Sequence, residues 1–291
     1  NTNMASSTFL HSYSLLLLII LPFLPSVSGA TSSNCSAKSV HLNSTLATNL
    51  TWNSPSGLFA FGFQNILSYK EFKSVLAVWF AKDPHRTIVW YAKDHGITDS
   101  NIQKTRDFPS GSTVKLTNKG IVVYDQNGQE MWHRPKNNTI ALVRCASMLD
   151  NGNFVLLDET GKRVWESFQE PTDTFLPGQI LGKPKNFRAR HSNTSFDDGS
   201  FELSWQSDYN LVLYYSPQLS DIHEPYWDTK TNSYDESLLL FNEFGHMYIK
   251  RRSNTGKVIR EVIFGGSKDH EFLYMARIDP DGLFRLYRHR K

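Results

Sequence analysis

Two stretches of this chain repeat one frame. Asn118-x-Gly120-x-Val122-x-Tyr124 runs into a polar turn and Trp132, and 33 residues further on Asn151-x-Asn153-x-Val155-x-Leu157 runs into a polar turn and Trp165. A repeat this short constrains the fold strongly, because one unit cannot bury its apolar side alone and must stack on copies of itself. The units read as strands. Leu58–Phe63, Leu76–Phe80, Thr87–Tyr91, Val114–Leu116 and Gly120–Tyr124 are rich in β-branched and aromatic residues and are punctuated by Gly, Asn and Asp. No stretch holds a helical period for three turns, so the chain is expected to be all-β. A looser unit ends on Trp79 and Trp90 and completes a set of three. The expectation is a pseudo-threefold domain in which each unit is a small antiparallel sheet that presents a Trp to a shared core.

The frame returns beyond residue 182 in altered form. Phe201–Trp205 leads into Gln206–Tyr214, Leu238–Lys250 is centred on Gly245, and Met275–Tyr287 is centred on Asp281-Gly282. With 291 residues, the chain is long enough for two cores. Between the two sets lies Glu166–Leu181, with Pro171, Pro177 and Gly178, which breaks regular structure. The reading is a first domain over 52–167, a junction over 168–182 and a second domain over 183–291.

The beginning of the chain speaks to its address. After Asn1-Thr-Asn3 and Met4 comes the apolar run Leu15–Leu24, too short to span a bilayer, and then Ser28-Gly29-Ala30, which suits cleavage before Thr31. Residues 1–30 are therefore read as upstream residues and a secretory signal peptide, and 31–51 as a glycosylated leader. Five N-x-Ser/Thr sequons agree: Asn34, Asn43, Asn49, Asn137 and Asn193. The two cysteines, Cys35 and Cys145, are too few for a disulfide scaffold; in an oxidising compartment they form one bridge or remain two separate thiols. The chain is expected to be secreted or extracellular, and at the cell surface only if a further region supplies a membrane span. Lys and Arg total 31 against 28 Asp and Glu, without a long basic run before the last few residues, which argues against nucleic acid as a partner.

Gln206-x-Asp208-x-Asn210-x-Val212-x-Tyr214 is the candidate binding stretch. Asp accepts hydroxyl hydrogens, Asn and Gln amides donate and accept, a Tyr hydroxyl does both, and Val offers an apolar contact. Fully extended, the stretch would put Gln206 and Tyr214 about 26 Å apart. To serve one ring the chain must reverse near Asp208-Tyr209-Asn210, residues that favour a turn. Sibling frames carry Gly152 and Gly282 where this one carries Tyr209, so a turn that needs positive φ would strain it.

These residues match the mannose-binding motif of the bulb-type lectins at every defining position. Met148–Asp158, followed by Trp165-Glu-Ser-Phe168 and Pro171-Thr-Asp-Thr174-x-Leu-Pro177, resembles the signature of plant G-type lectin S-receptor-like serine/threonine kinases. The resemblance implies two tandem β-prism II domains from the extracellular part of such a receptor. It also implies a sugar pocket with Asp208 and Asn210 on the 2-hydroxyl, Gln206 on the 3-hydroxyl, Tyr214 on the 4-hydroxyl and Val212 beneath the ring. Mannose-containing glycans are then the expected partner, with a homodimer possible and no cofactor or metal. The sibling frames lack parts of the set and are read as turns without sugar. The sequence carries no kinase nucleotide loop, no His-Arg-Asp stretch and no Gly-x-Ser-x-Gly elbow, so this chain itself is not read as an enzyme. Asp197-Asp198 is too close in sequence to serve as opposed glycosidase carboxylates, since neighbours on a strand face opposite ways. A secreted lectin-like protein, or a protein-binding or dimerisation module without sugar, remains the alternative.

Overall fold

The computed structural model describes residues 35–36, 38–67, 72–94, 106–135, 142–218, 220–232, 237–251, 258–263, 266–267 and 269–291. The expected signal peptide and the sequons at Asn34 and Asn137 lie outside them. Residues 33–291 are one compact unit, and among the described residues all regular structure is strand apart from a single 3-10 turn at Ser167–Gln169.

In chain order the strands are β1 (Val40–His41), β2 (Thr45–Ala47), β3 (Thr51–Asn53), β4 (Phe59–Leu67), β5 (Phe72–Phe80), β6 (Ile88–Tyr91), β7 (Asp107–Phe108) and β8 (Thr113–Thr117). Next come β9 (Gly120–Tyr124), β10 (Glu130–Arg134), β11 (Cys145–Met148), β12 (Phe154–Leu157), β13 (Arg163–Glu166), β14 (Thr174–Phe175), β15 (Ile180–Leu181) and β16 (Lys185–Arg190). The remainder are β17 (Asp198–Trp205), β18 (Leu211–Tyr215), β19 (Glu224–Asp228), β20 (Ser237–Phe241), β21 (Met247–Arg251), β22 (Val258–Ile263), β23 (Phe272–Ile278) and β24 (Phe284–Arg290).

They form six antiparallel sheets in two sets of three. The first set is β3-β4-β5-β6 with β7 on β5, β10-β9-β8-β2, and β1-β11-β12-β13. The second is β16-β17-β18-β19, β15-β20-β21-β22, and β14-β23-β24. Alternating side chains explain each set: Val114, Leu116, Ile121, Val123, Phe154 and Leu156 join one core, while Leu203, Trp205, Leu211, Leu213, Leu239, Met247 and Ile249 join another. The last sheet is shared, since Ala276 and Ile278 belong to the second core and Met275 to the first.

Trp90, Trp132 and Trp165, one from each sheet of the first set, are buried in its core. Their indole N–H groups find oxygen. Trp90 donates to the Glu170 carbonyl at 2.8 Å, Trp165 to the Glu170 carboxylate at 2.8 Å and Trp132 to the Lys93 carbonyl at 3.2 Å. Arg134, almost fully buried, stacks on Trp132 and donates from Nε to Glu170 at 2.6 Å. A single glutamate from the junction thus satisfies groups from three strands, as burial of polar groups demands.

Two segments are built into the fold rather than set outside it. In the leader, β1 pairs with β11 and β2 with β8, and Cys35 is bridged to Cys145 with Cα atoms 6.1 Å apart. In the junction, β14 pairs with β23 and β15 with β20. Apolar Leu46, Phe175 and Leu181 on these short strands fill core positions, which is why they dock. Nearby, Asp173 meets Arg190 at 2.6 Å and Lys93 meets Asp198 at 2.6 Å, all four side chains buried. Burial alone would push the Asp173 carboxyl up, but the charge and hydrogen bond of Arg190 hold it below its ordinary range.

Candidate functional site

The hairpin β17–β18 runs in unbroken register from Phe201 opposite Tyr215 to Trp205 opposite Leu211. Gln206–Asn210 forms the reversal. Gln206 N–H donates to the Asn210 carbonyl at 3.0 Å, Tyr209 N–H to the Gln206 carbonyl at 3.1 Å, and Asn210 N–H to Asp208 Oδ1 at 3.1 Å. The same turn recurs at Leu149–Asn153, Asn242–His246 and Asp279–Leu283. Its fourth residue is Gly152, Gly245 or Gly282 at φ of +87°, +82° and +83°, and here it is Tyr209 at +64°. The turn does require the left-handed region, so Tyr209 carries a cost of roughly 1–2 kcal/mol that the glycines avoid.

The neighbouring sheet explains why a tyrosine is accommodated. A Cβ on Gly282 would lie 2.6 Å from the Phe201 ring, and one on Gly245 would lie 2.6 Å from the Tyr274 ring. Phe201 and Tyr274 each stand five residues ahead of their own turn, and the corresponding residue of the third sheet is Ser237. The cycle of three sheets therefore has an aromatic over each glycine and a small serine in the position that answers to Tyr209. The Tyr209 ring packs on the second core, 6.2 Å from Trp205.

The reversal brings the candidate residues onto one face. Leu211 and Leu213 point into the core, which turns Val212 and Tyr214 outward beside Gln206. Gln206 Nε2 donates to Tyr214 Oη at 2.7 Å. By register this bond crosses over the Ser204–Val212 pair, and Val212 is only 3% exposed. Val212 is therefore buried rather than bare on that face. His223, which the sequence gave no reason to single out, stacks on Tyr214 at 4.0 Å with planes 14° apart.

Asn210 is held by residues far along the chain. Its Oδ1 accepts from Thr229 Oγ1 at 3.0 Å and from Thr231 N–H at 3.2 Å, while Thr231 Oγ1 donates to the Tyr209 carbonyl at 2.6 Å. Both threonines are buried. In the sibling at Asn153 the oxygen is held the same way, by Ser167 Oγ at 3.1 Å and Phe168 N–H at 3.2 Å. The difference lies in the amide nitrogen: Asn153 Nδ2 donates to Glu166 Oε2 at 2.6 Å. Glu166 pairs with Val155 as Asp228 pairs with Val212, so Asp228 is its counterpart. Being one methylene shorter, Asp228 accepts instead from Lys230 N–H at 2.6 Å. Among the described residues, Asn210 Nδ2 and Asp208 Oδ2 have no hydrogen-bond partner.

The frame at Asp279 is occupied from within. Arg285, in the position of Val212, donates to Asp279 Oδ2 at 2.7 Å and bidentately to Asp281 at 2.8 and 2.7 Å, and Tyr287 Oη donates to Asp279 at 2.5 Å. The Arg285 hydrogen bonds hold the Asp281 carboxyl down at about 2. Among the described residues no cluster of His, Cys, Asp and Glu could hold a metal ion, and no helix is long and apolar enough to cross a membrane.

Six antiparallel sheets in two sets of three, four of whose hairpins carry the same turn, fit the lectin-type fold expected from the sequence. Residues 87–197 match the family described as D-mannose binding lectin, so the chain carries a domain of that family; the match ends before Gln206. Over 93% of its length it is similar to the G-type lectin S-receptor-like serine/threonine-protein kinase LECRK1 of Oryza sativa subsp. japonica, 37% identical over 279 residues that make up 33% of that relative. It is also 35% identical over 222 residues to the G-type lectin S-receptor-like serine/threonine-protein kinase RLK1 of Arabidopsis thaliana, covering 72% of this chain and 25% of the relative. The chain thus spans about a third or less of the length of these curated relatives. Among solved structures, the Colocasia esculenta agglutinin with mannose bound shares 25% identity over 40% of this chain and 86% of its own, with a TM-score of 0.30.

Proposed function

We propose that this chain is the carbohydrate-reading, extracellular part of a receptor-like serine/threonine kinase, and that it binds mannose-type glycans through Gln206, Asp208, Asn210 and Tyr214. The observation that carries this reading is the free Asn210 amide. Of the two frames that hold an Asn in this position, one spends its Nδ2 on Glu166 and the other keeps it available. A sugar with adjacent hydroxyls would accept from Asn210 Nδ2, donate to Asp208 Oδ2 and exchange for the Gln206–Tyr214 bond, which uncovers Val212 for the apolar side of the ring. Trading one internal bond for ligand bonds keeps single-site affinity low, so tight retention requires several sites on one glycan or surface.

The Cys35–Cys145 bridge and the exposed sequon residues Asn43, Asn49 and Asn193 support passage through an oxidising, glycosylating compartment. The kinase belongs to the relatives, and its presence in the full product is part of the proposal. The test is retention on mannose-agarose. The parent chain is expected to be retained and released by free mannose, and D208A/N210A is expected to pass through. Retention of that double variant would remove the site from these residues.

A further inference from the structure

Two frames of the repeat end on a tyrosine that is held in different ways. In the frame closed from within, the Arg277 guanidinium lies over the Tyr287 ring at 5.2 Å, and Tyr287 Oη is tied to Asp279. Arg277 stands opposite Arg285 and two residues ahead of Asp279. Ser204 holds the same place, opposite Val212 and two residues ahead of Gln206. A serine is too short to cover the next ring, and its Oγ donates instead to Asn186 Oδ1 at 2.9 Å on β16. Tyr214, the counterpart of Tyr287, takes its support from the other neighbouring strand, where His223 stacks on it at 4.0 Å with planes 14° apart. The local sequence explains how a residue just ahead of β19 arrives there. Pro225 pairs with Tyr214, and the residue before a proline is held extended, so His223-Glu224-Pro225 runs on in the line of β19. Two residues apart on an extended segment, His223 and Pro225 face the same way. His223 is therefore diagonal to Tyr214 on the face of the sheet that carries Gln206, a spacing that rings can bridge.

We infer that His223 is a positioning residue of the sugar site: it holds the Tyr214 phenol in place once a ligand has broken the Gln206–Tyr214 bond, and so sets how strictly the ligand hydroxyl at Tyr214 is read. This role rests on the proposed mannose reading of the site. In the free chain the Tyr214 side chain is held twice, by the stack on its ring and by the 2.7 Å bond from Gln206 Nε2 to its hydroxyl. A sugar that exchanges for this bond removes the second hold and leaves the first. Without the stack, the phenol would regain its rotamer freedom at the moment it must meet the ligand, and ordering it again weakens binding. Stacking of two flat rings is worth roughly 2- to 10-fold in such an equilibrium. His223 is exposed and stands ahead of β19, so its replacement leaves the strand pairing intact.

The test is calorimetric titration of the whole chain, as parent, H223A and H223F, with methyl α-mannoside and with its 4-deoxy analogue, which lacks the hydroxyl assigned to Tyr214. H223A is expected to bind methyl α-mannoside roughly 2- to 10-fold more weakly than the parent, with an unchanged thermal melt. H223F keeps a flat ring on Tyr214 and is expected to bind within about twofold of the parent. The 4-deoxy analogue leaves the Gln206–Tyr214 bond in place, so parent and H223A should bind it equally. Parent-like affinity of H223A for methyl α-mannoside overturns the inference, as does a loss in H223F as large as in H223A. An equal loss for both ligands in H223A also overturns it, because His223 would then act on the ligand directly rather than through Tyr214. Retention of the parent on mannose-agarose separates the two levels. A parent that is not retained removes the mannose reading and this role with it, whereas a retained parent and an equally retained, equally tight H223A remove only the role of His223.

Discussion

Lengthening Asp228 by one methylene tests the proposal that one frame of the repeat reads a sugar and its sibling does not. In the sibling, Glu166 reaches Asn153 Nδ2 at 2.6 Å from the strand position that Asp228 occupies beside Val212. D228E is therefore expected to capture Asn210 Nδ2 and close the site from within. A ligand hydroxyl that loses this donor forfeits its bond and is left unmet in the interface, about 1.5–3 kcal/mol together, or roughly 10- to 100-fold in affinity. The fold should hardly notice. The substitution gives up the Asp228 bond to Lys230 N–H and gains one to Asn210, so the melting temperature should stay within a few degrees of the parent. Calorimetric titration with methyl α-mannoside, beside a thermal melt by circular dichroism, separates the two effects. Parent-like affinity in a D228E chain of parent-like stability would refute the argument that the free amide distinguishes the frames.

Three further outcomes follow from the same geometry. Y209G relieves roughly 1 kcal/mol of left-handed strain but removes a ring packed on the second core, so a net loss of about 1 kcal/mol is expected in chemical denaturation; a gain would show that the strain outweighs the packing. E170A leaves the buried Arg134 guanidinium without its carboxylate and the Trp165 indole without its acceptor, for an expected loss of about 3–5 kcal/mol, and a melt within a degree of the parent would contradict the hub. The Asp281 carboxyl, held at about 2 in the fold, lies below its unfolded value, so its contribution is present above pH 4 and is lost as pH falls toward 2. In R285A its titration by NMR should move up into the ordinary carboxylate range, and an unmoved midpoint would rule out Arg285 as the cause.

Much of the fold was legible because its signals are local. The alternation in Gly120–Tyr124 and the repeated Asn, Gly and Trp positions are properties of neighbouring residues, and they led to strands, turns and a Trp core that the structure contains. The positive φ at Tyr209 was legible too, since sibling glycines mark it. Residues 38–51 and 168–182 were harder. Their strands are two or three residues long and gain stability only from partners far along the chain, so β1, β2, β14 and β15 leave no pattern of their own.

For the site, sequence alone determined which groups are present: an acid, two amides, a phenol and a valine at alternate positions, on a turn that must reverse. Only tertiary structure decided what those groups are free to do. Thr229 and Thr231 fix the Asn210 oxygen, Asp228 bonds Lys230 N–H instead of the Asn210 nitrogen, and Gln206 bonds Tyr214 beside a buried Val212. These outcomes depend on the length of one side chain and on register between strands. A hydrogen bond is made or lost within a fraction of an ångström, and no pattern of residue types along the chain encodes that distance.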